Sequence, residues 1–443
     1  MTRSAVLAGF CAAILSLTTQ ARAQDAPPHQ HDSSDPVATV DIPIVRVGSG
    51  TSWMPDATPM RAIMARARGW DLMMHGSLFV QTIHEGGYFG GTQTGSINWG
   101  MASARRPVKG GSLQVRGMAS LEPWTIRGCG YPDMLATGEQ CDGKEIHERQ
   151  HPHDAAMELA LEYHRPVTPG LGLQVYLAPV GEPALGPTAF PHRPSSLRNP
   201  VAPIAHHWLD ATHLSFGVIT AGVYGHRWKV EGSAFNGREP DERRRNLETG
   251  ALDSVAGRIT WLPGPRWSVQ ASAGRLRDAE VNSEQDTRQS VTLVTASAVH
   301  VRPRGTDGRS WASTLAWGWK QEAGLATTFG LAETGYDLST HDTVYGRAEL
   351  GTKTPHDLSI HGLTDPIGMG KLQGGYQRDL CAWRGWELAL GTSVSASVPS
   401  ALLAPRYGGR VTWGAAVFLQ LLPAPMQMPT GALVDPHAGP HQH

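Results

Sequence analysis

Three stretches of the chain concentrate side chains able to hold a metal ion. They read His147-Glu148-Arg149-Gln150-His151-Pro152-His153-Asp154, Pro191-His192-Arg193-Pro194, and His206-His207-Trp208-Leu209-Asp210-Ala211-Thr212-His213. Neutral imidazole nitrogens ligate Zn, Cu and Ni, and a nearby carboxylate can join them or orient the ring. The candidate ligands are therefore His147, His151, His153, Asp154, His206, His207, Asp210 and His213, with Cu or Zn the expected ion and no cofactor demanded by any motif. The structural alternative is a folded plug in which these side chains hydrogen-bond internally, stiffened by Pro152, Pro187, Pro194 and Pro203. An acyl-transfer reading, as in an outer-membrane lipid hydrolase, has Ser195, Ser196, Ser215, His213 and Asp210 to draw on. No Gly-x-Ser-x-Gly elbow frames any of them, and no catalytic residue is assigned.

Softer ligands precede these stretches. Met54, Met60, Met64, Met73 and Met74 with His75 would suit Cu(I), while the spacing of Met60 and Met64 equally predicts a short amphipathic plug helix. Both ends of the chain, Pro28-His29-Gln30-His31-Asp32 and Pro436-His437-Ala438-Gly439-Pro440-His441-Gln442-His443, have the composition of metal-binding tails.

What must position these residues is a repeated alternation of apolar with small or polar side chains, the period of a β-strand. Val255, Gly257, Ile259 and Trp261 oppose Ala256, Arg258, Thr260 and Leu262. Val411, Trp413, Ala415, Val417 and Leu419 oppose Thr412, Gly414, Ala416 and Gln420. The pattern predicts sixteen strands near 70–81, 96–106, 111–121, 155–165, 171–180, 212–222, 226–236, 253–263, 266–276, 288–301, 309–320, 325–336, 341–352, 369–380, 385–395 and 409–420. Fourteen and eighteen are the neighbouring even counts. Long connections rich in Gly, Pro, Asp and His, at 82–95, 122–154, 181–211, 237–252, 277–287, 353–368 and 396–408, interleave with tight turns; Gln321 to Gly324 is a short exception. The expected fold is all-β: a transmembrane antiparallel up-and-down barrel, closed because an unpaired strand edge in hydrocarbon costs several kcal/mol. Lys229, Glu231, Arg258, Gln270, Arg275, Arg347 and Glu349 are the expected lumen residues, of mixed sign. Both histidine-rich loops would then leave the same end of the barrel and could meet.

Arg3, the apolar run from Ala5 to Leu17 and Ala21-Arg22-Ala23 fit a secretory signal cleaved between Ala23 and Gln24. The expected organisation is a signal at 1–23, a periplasmic segment with a short plug at 24–69, the barrel at 70–422 and a Pro/His-rich tail at 423–443. Charged residues are 17% of the chain and its net charge is −1, which argues against a nucleic-acid binder. The 51 glycines and 14 tryptophans suit thin barrel walls with aromatic girdles. In an oxidising compartment Cys129 and Cys141 should form a disulfide, leaving Cys381 as a buried free thiol.

Five blocks carry a family resemblance: Gly50-Thr51-Ser52-Trp53-Met54-Pro55-Asp56, Gly95-Ser96-Ile97-Asn98-Trp99, the His147 to Asp154 stretch, Gly181-Glu182-Pro183-Ala184-Leu185-Gly186-Pro187, and Glu231 to Glu242. Together they resemble a family of predicted outer-membrane proteins of Gram-negative bacteria associated with copper and other metal-resistance gene neighbourhoods. The resemblance spans most of the first 260 residues and implies a location and a metal link, not a reaction. The combined expectation is an outer-membrane passive channel or metal-linked transport protein with both termini periplasmic. Its expected partners are lipid, lipopolysaccharide, small solutes or metal ions, and further copies of itself. A surface metal-binding module without transport is a further alternative.

Overall fold

The computed structural model describes residues 40, 42–142, 144–282, 287–305, 307–360 and 362–426. The signal cleavage at Ala23 and Gln24 and the two histidine-rich tails lie outside them. Sixteen antiparallel strands follow one another in chain order. They are β1 (Trp70–Glu85), β2 (Gly91–Val108), β3 (Gly111–Ala119), β4 (Ala156–Thr168), β5 (Leu171–Gly181), β6 (Ser215–Tyr224), β7 (Trp228–Phe235) and β8 (Ser254–Trp261). There follow β9 (Trp267–Asn282), β10 (Thr287–Pro303), β11 (Ser310–Glu322), β12 (Leu325–Asp337), β13 (Asp342–Lys353), β14 (Ile367–Trp383), β15 (Trp386–Pro399) and β16 (Thr412–Pro423). Each pairs with the next, and β16 closes on β1 from Gly414 opposite Glu85 to Leu421 opposite Leu78. The expected sixteen-stranded closed barrel is the one observed.

Alternation builds the wall as the sequence implies. Along β16, Trp413, Val417 and Leu419 are exposed while Thr412, Gly414, Ala416 and Gln420 are buried. Leu350 (73% exposed) and Leu315 (62%) show the same inversion of a soluble protein's pattern. So large an apolar surface is stable only against hydrocarbon. Exposed Trp228, Trp261, Trp267, Trp311 and Trp383 ring the short-turn end, the position of an interfacial aromatic girdle.

Several expectations are corrected. β1 and β2 extend to Glu85 and Gly91, so the first long-end connection is far shorter than 82–95. β9 and β10 likewise reach Asn282 and Thr287, because pairing continues past a register shift between Leu276 and Glu280. Met60 and Met64 form no helix. Ile63–Ala67 is a short strand pairing with β1 (Ile63 opposite Met74, Ala67 opposite Trp70), reached through the left-handed turn at Arg68 and Gly69. Arg275 is exposed rather than lumenal, since Gln270, Ser272 and Gly274 take the inward positions and odd-numbered residues face out. Cys381 is exposed, beside a register shift between Asp379 and Cys381 at the short-turn end.

The lumen is filled. From the short-turn end enters the segment around Ser49 to Trp53. From the long-loop end descends the β5–β6 connection, residues 182–214. The two meet where Thr188 donates its hydroxyl to Ser52 Oγ (2.9 Å) and Ala189 N–H donates to Ser49 Oγ (2.8 Å). The β3–β4 connection adds a hairpin, Tyr131–Cys141 with Lys144–Gln150, and Cys129 and Cys141 are disulfide-bonded across a Cα–Cα distance of 5.8 Å. Inward charges of the wall serve as hooks. Arg258 reaches Glu231 Oε1 (2.9 Å) on the wall, Thr51 Oγ1 (2.9 Å) on the leading segment and Gly186 O (3.1 Å) on the descending loop. Lys353 Nζ donates to Leu135 O (2.6 Å), Lys371 Nζ to Asp133 (2.6 Å) and Arg347 Nη1 to Val201 O (2.8 Å). Buried charges cost several kcal/mol each unless paired, so every one of these bonds holds the plug in register with the wall.

Candidate functional site

The descending loop is anchored by one helical turn, His206–Leu209. Its Trp208 is fully buried, donates Nε1–H to Thr327 Oγ1 (2.8 Å) and lies beneath the Lys320 and Lys353 ammonium groups at 4.9 and 5.3 Å from its ring. The wall accommodates it through Gly318, where a Cβ would stand 2.1 Å from Trp208 O. Asp210 then ends the turn and organises what surrounds it. Its Oδ1 holds His206 Nδ1 (2.8 Å). Its Oδ2 accepts from Arg193 Nη1 (2.7 Å) and Phe190 N (2.8 Å), and its backbone carbonyl accepts from His213 Nδ1 (2.8 Å). Arg193 continues to Glu333 on β12 (2.6 Å), which also takes Ser195 Oγ (2.8 Å) and Arg347 Nε (3.2 Å).

Five of the six histidines proposed as ligands gather here. Ring centroids are 5.0 Å apart for His206 and His213, 5.3 Å for His153 and His213, 5.5 Å for His206 and His207, and 6.2 and 6.3 Å from His151 to His207 and His206. His153 is oriented by Glu122, whose carboxylate meets its Nδ1 at 3.0 Å and its backbone N–H at 2.9 Å. His147 stands apart, packed on Phe89 in the disulfide-closed hairpin. Asp154 faces Arg244 at 3.4 Å, and Asp210 holds His206 Nδ1 at 2.8 Å beside Arg193.

Burial keeps most of this cluster uncharged. It pushes His213 down to about 3, with the His206 and His153 rings adding to the effect, and lowers His206 and His151 as well. Burial opposes the charge on His153 too, but Glu122 carries that imidazole above its usual range. Asp210 is held well below the carboxylate range against its burial, by Arg193 and the His206 hydrogen bond.

A tighter donor set lies at the cluster's edge. His207 Nδ1 is 3.4 Å from Glu239 Oε1, and one ligand atom each from His207, Glu239 and Glu280 lie within 4.8 Å of one another. Burial pushes the Glu239 carboxyl up to about 7, Lys320 opposing and Glu322 reinforcing. Glu239 and Glu280 were not among the sequence candidates. They sit in the β7–β8 connection and at the top of β9, and only the convergence of loops at one barrel end could have drawn attention to them. The hydrolase candidates do not assemble: Ser195 bonds Glu333, Ser196 bonds the Phe190 and Arg193 carbonyls, and Ser215 bonds Thr212 O (3.2 Å). None of the three bonds His213, whose Nδ1 is taken by Asp210 O and whose Nε2 has no partner.

No family model matches the chain, and no curated protein does. Solved structures similar to it are bacterial barrels. An anion-selective porin from Comamonas acidovorans shares 9% identity over 80% of this chain and 99% of its own, with a TM-score of 0.49. Salmonella typhi OmpF, in complex with daunomycin, shares 8% over 81% and 100%, at 0.48. OmpT of Vibrio cholerae shares 8% over 81% and 100%, at 0.46. The closure and strand count described above rest on this chain's own register.

Proposed function

We propose that this chain is an outer-membrane channel of the porin type, closed in the observed state by its own plug, with the long loops outside and the chain ends in the periplasm. One observation carries the reading. The inward face bears Arg116, Lys229, Arg258, Lys353 and Lys371, all nearly or fully buried, and each bonds a residue of the inserted segments; Lys320 is held instead by Glu280 and by Asp357 of the β13–β14 connection. A wall lined this way suits a water-filled lumen of about this barrel size, and its charges are satisfied by polypeptide in place of water. With Glu231, Glu333 and Glu349 among them, both signs are present, which favours small solutes without strong charge selection. Single-channel recording tests the reading. Wild-type protein in planar bilayers should sit mostly closed, and deletion of residues 187–205 should give large steady conductance; a deletion variant that inserts but stays silent would remove the channel.

Metal-linked passage is a second reading, favoured by the approach of His207, Glu239 and Glu280 beside the histidine cluster. A mixed imidazole and carboxylate set of this kind suits Zn and other first-row divalent ions. Calorimetric titration with Zn2+ should show binding lost in H207A/E239Q, and heat unchanged by those substitutions would remove that site.

A further inference from the structure

One level of the barrel interior carries chemistry that the channel reading does not use. Strand register sets His75 of β1 opposite Met101 of β2, and Met101 opposite Met118 of β3. Where β3 meets β4, the register shifts between Met118 and Ala119, and both Met157 and Glu158 are buried. Regular alternation would send one of that pair outward; a bulge turns both in. Four neighbouring strands thus present an imidazole and three thioethers in one inward row, with His75 Nε2 3.0 Å from Met101 Sδ.

The plug closes over this row. His192 and His213 of the descending loop, Glu182 at the end of β5, and the three methionines line a cavity of about 20 Å3, room for one water-sized guest. Three of the side chains lining it carry buried polar atoms without a hydrogen-bond partner. His213 donates its Nδ1 proton to Asp210 O, which leaves the lone pair on Nε2, and that atom is buried without a partner. Glu182 is 3% exposed, neither of its carboxylate oxygens has a hydrogen-bond partner, and its ion-pair contact with Arg258 Nη1 is long, at 3.8 Å. Glu158 also borders the cavity; its Oε1 is held by Arg116 (2.9 Å) and Tyr176 (2.8 Å), the guanidinium balancing its charge, while its Oε2 has no hydrogen-bond partner. The fitting guest accepts electron pairs from sulfur and nitrogen, carries one positive charge to balance Glu182, and sheds its water readily.

We propose that this cavity binds one soft monovalent cation, Cu(I) or its analogue Ag(I), ligated by Met101, Met118, Met157 and His213 and charge-balanced by Glu182. Thioethers select Cu(I), and imidazole suits it equally. Ca2+ and Mg2+ want oxygen ligands that the methionine row does not supply. The site differs in residues and ion class from the His207, Glu239 and Glu280 set, and it stands whether or not the barrel conducts.

The test uses the full chain in detergent micelles, with C129S/C141S/C381S as background because the exposed Cys381 thiol, and the Cys129 and Cys141 thiols once their disulfide is reduced, would themselves take Cu(I). Under reducing, anaerobic conditions the protein should retain one equivalent of Cu(I) against a chromophoric Cu(I) chelator, and X-ray absorption should show sulfur neighbours. Changing Met101, Met118 and Met157 together to Leu, a substitution close in volume, should weaken retention at least a hundredfold. Heat-modifiable migration would check that the variant folds. No retention by the parent protein, retention unaltered in a folded Leu variant, or absorption showing only nitrogen and oxygen neighbours would overturn the proposal. The last measurement needs no variant and decides the matter if the Leu protein does not fold.

Discussion

In the wall, each strand carries its own instruction: Val417 and Leu419 face out because Ala416 and Gln420 face in, and neighbouring strands merely extend the rule. In the plug, position is dictated from elsewhere. Residues 182–214 contain short single turns such as Phe190–His192 and His206–Leu209, and they are held by Glu333, Thr327, Arg258 and Arg347, drawn from three different strands. The wall is therefore a repetitive structure that tolerates local change. The plug is a network in which one buried charge supports several others.

That contrast can be broken deliberately, and the largest effect should come from the network. Arg193→Ala leaves Asp210 buried without its cation and strips Glu333 of the closer of its two, a loss of about 3–5 kcal/mol. Single-channel current should pass from mostly closed to mostly open while heat-modifiable migration of the barrel is retained. Next comes the wall: Leu315→Arg puts a charge on the lipid-facing surface well inside its strand, at a cost of up to about 2–4 kcal/mol. It should lower folding yield into vesicles and leave the gating of inserted molecules unchanged. If both substitutions act alike on gating and insertion, wall and plug are not separable.

Acid should act on the plug alone. His213 is held at about 3 against an ordinary 6.5, so its neutral form favours the docked plug. That contribution is complete above pH 6.5 and is lost progressively as pH falls toward 3. Between pH 7 and pH 5 this one ring accounts for about 2 kcal/mol, and open probability should rise over that interval in an E239Q background, which removes the opposing titration of Glu239. The smallest effect is expected from Thr327→Val, which removes the acceptor of the Trp208 indole N–H for about 1–2 kcal/mol. Brief openings should become more frequent at neutral pH.

The same contrast explains what could be read from residues alone. Strand number, the inward placement of Lys229, Arg258, Arg347 and Glu349, and the pairing of Cys129 with Cys141 are local in sequence or follow from a period of two. The meeting of His151, His153, His206, His207 and His213 was inferable because both loops leave one end of the barrel. Glu122, Arg193, Glu239 and Glu333 were not: each acquires its role through a partner at least 17 residues away. Thioethers show the limit most clearly. Met60, Met64, Met73 and Met74 are close in sequence and drew attention, whereas Met101, Met118 and Met157 lie on three strands and meet only through register and one bulge. Arg275 was misassigned for a related reason, since its charge suggested the lumen while its parity placed it outside.

The short strand Ile63–Ala67 occupies the part of the β1 edge that β16 does not reach, and Arg61 beside it bridges to Pro425. The first strand is thus left with an open upper edge until the last one, more than three hundred residues later, has been made and delivered. Loop-closure entropy and contact order make such a junction slow to form. The seam should be the final event of assembly, and a chain caught before it would still display a ready template for another molecule's strand.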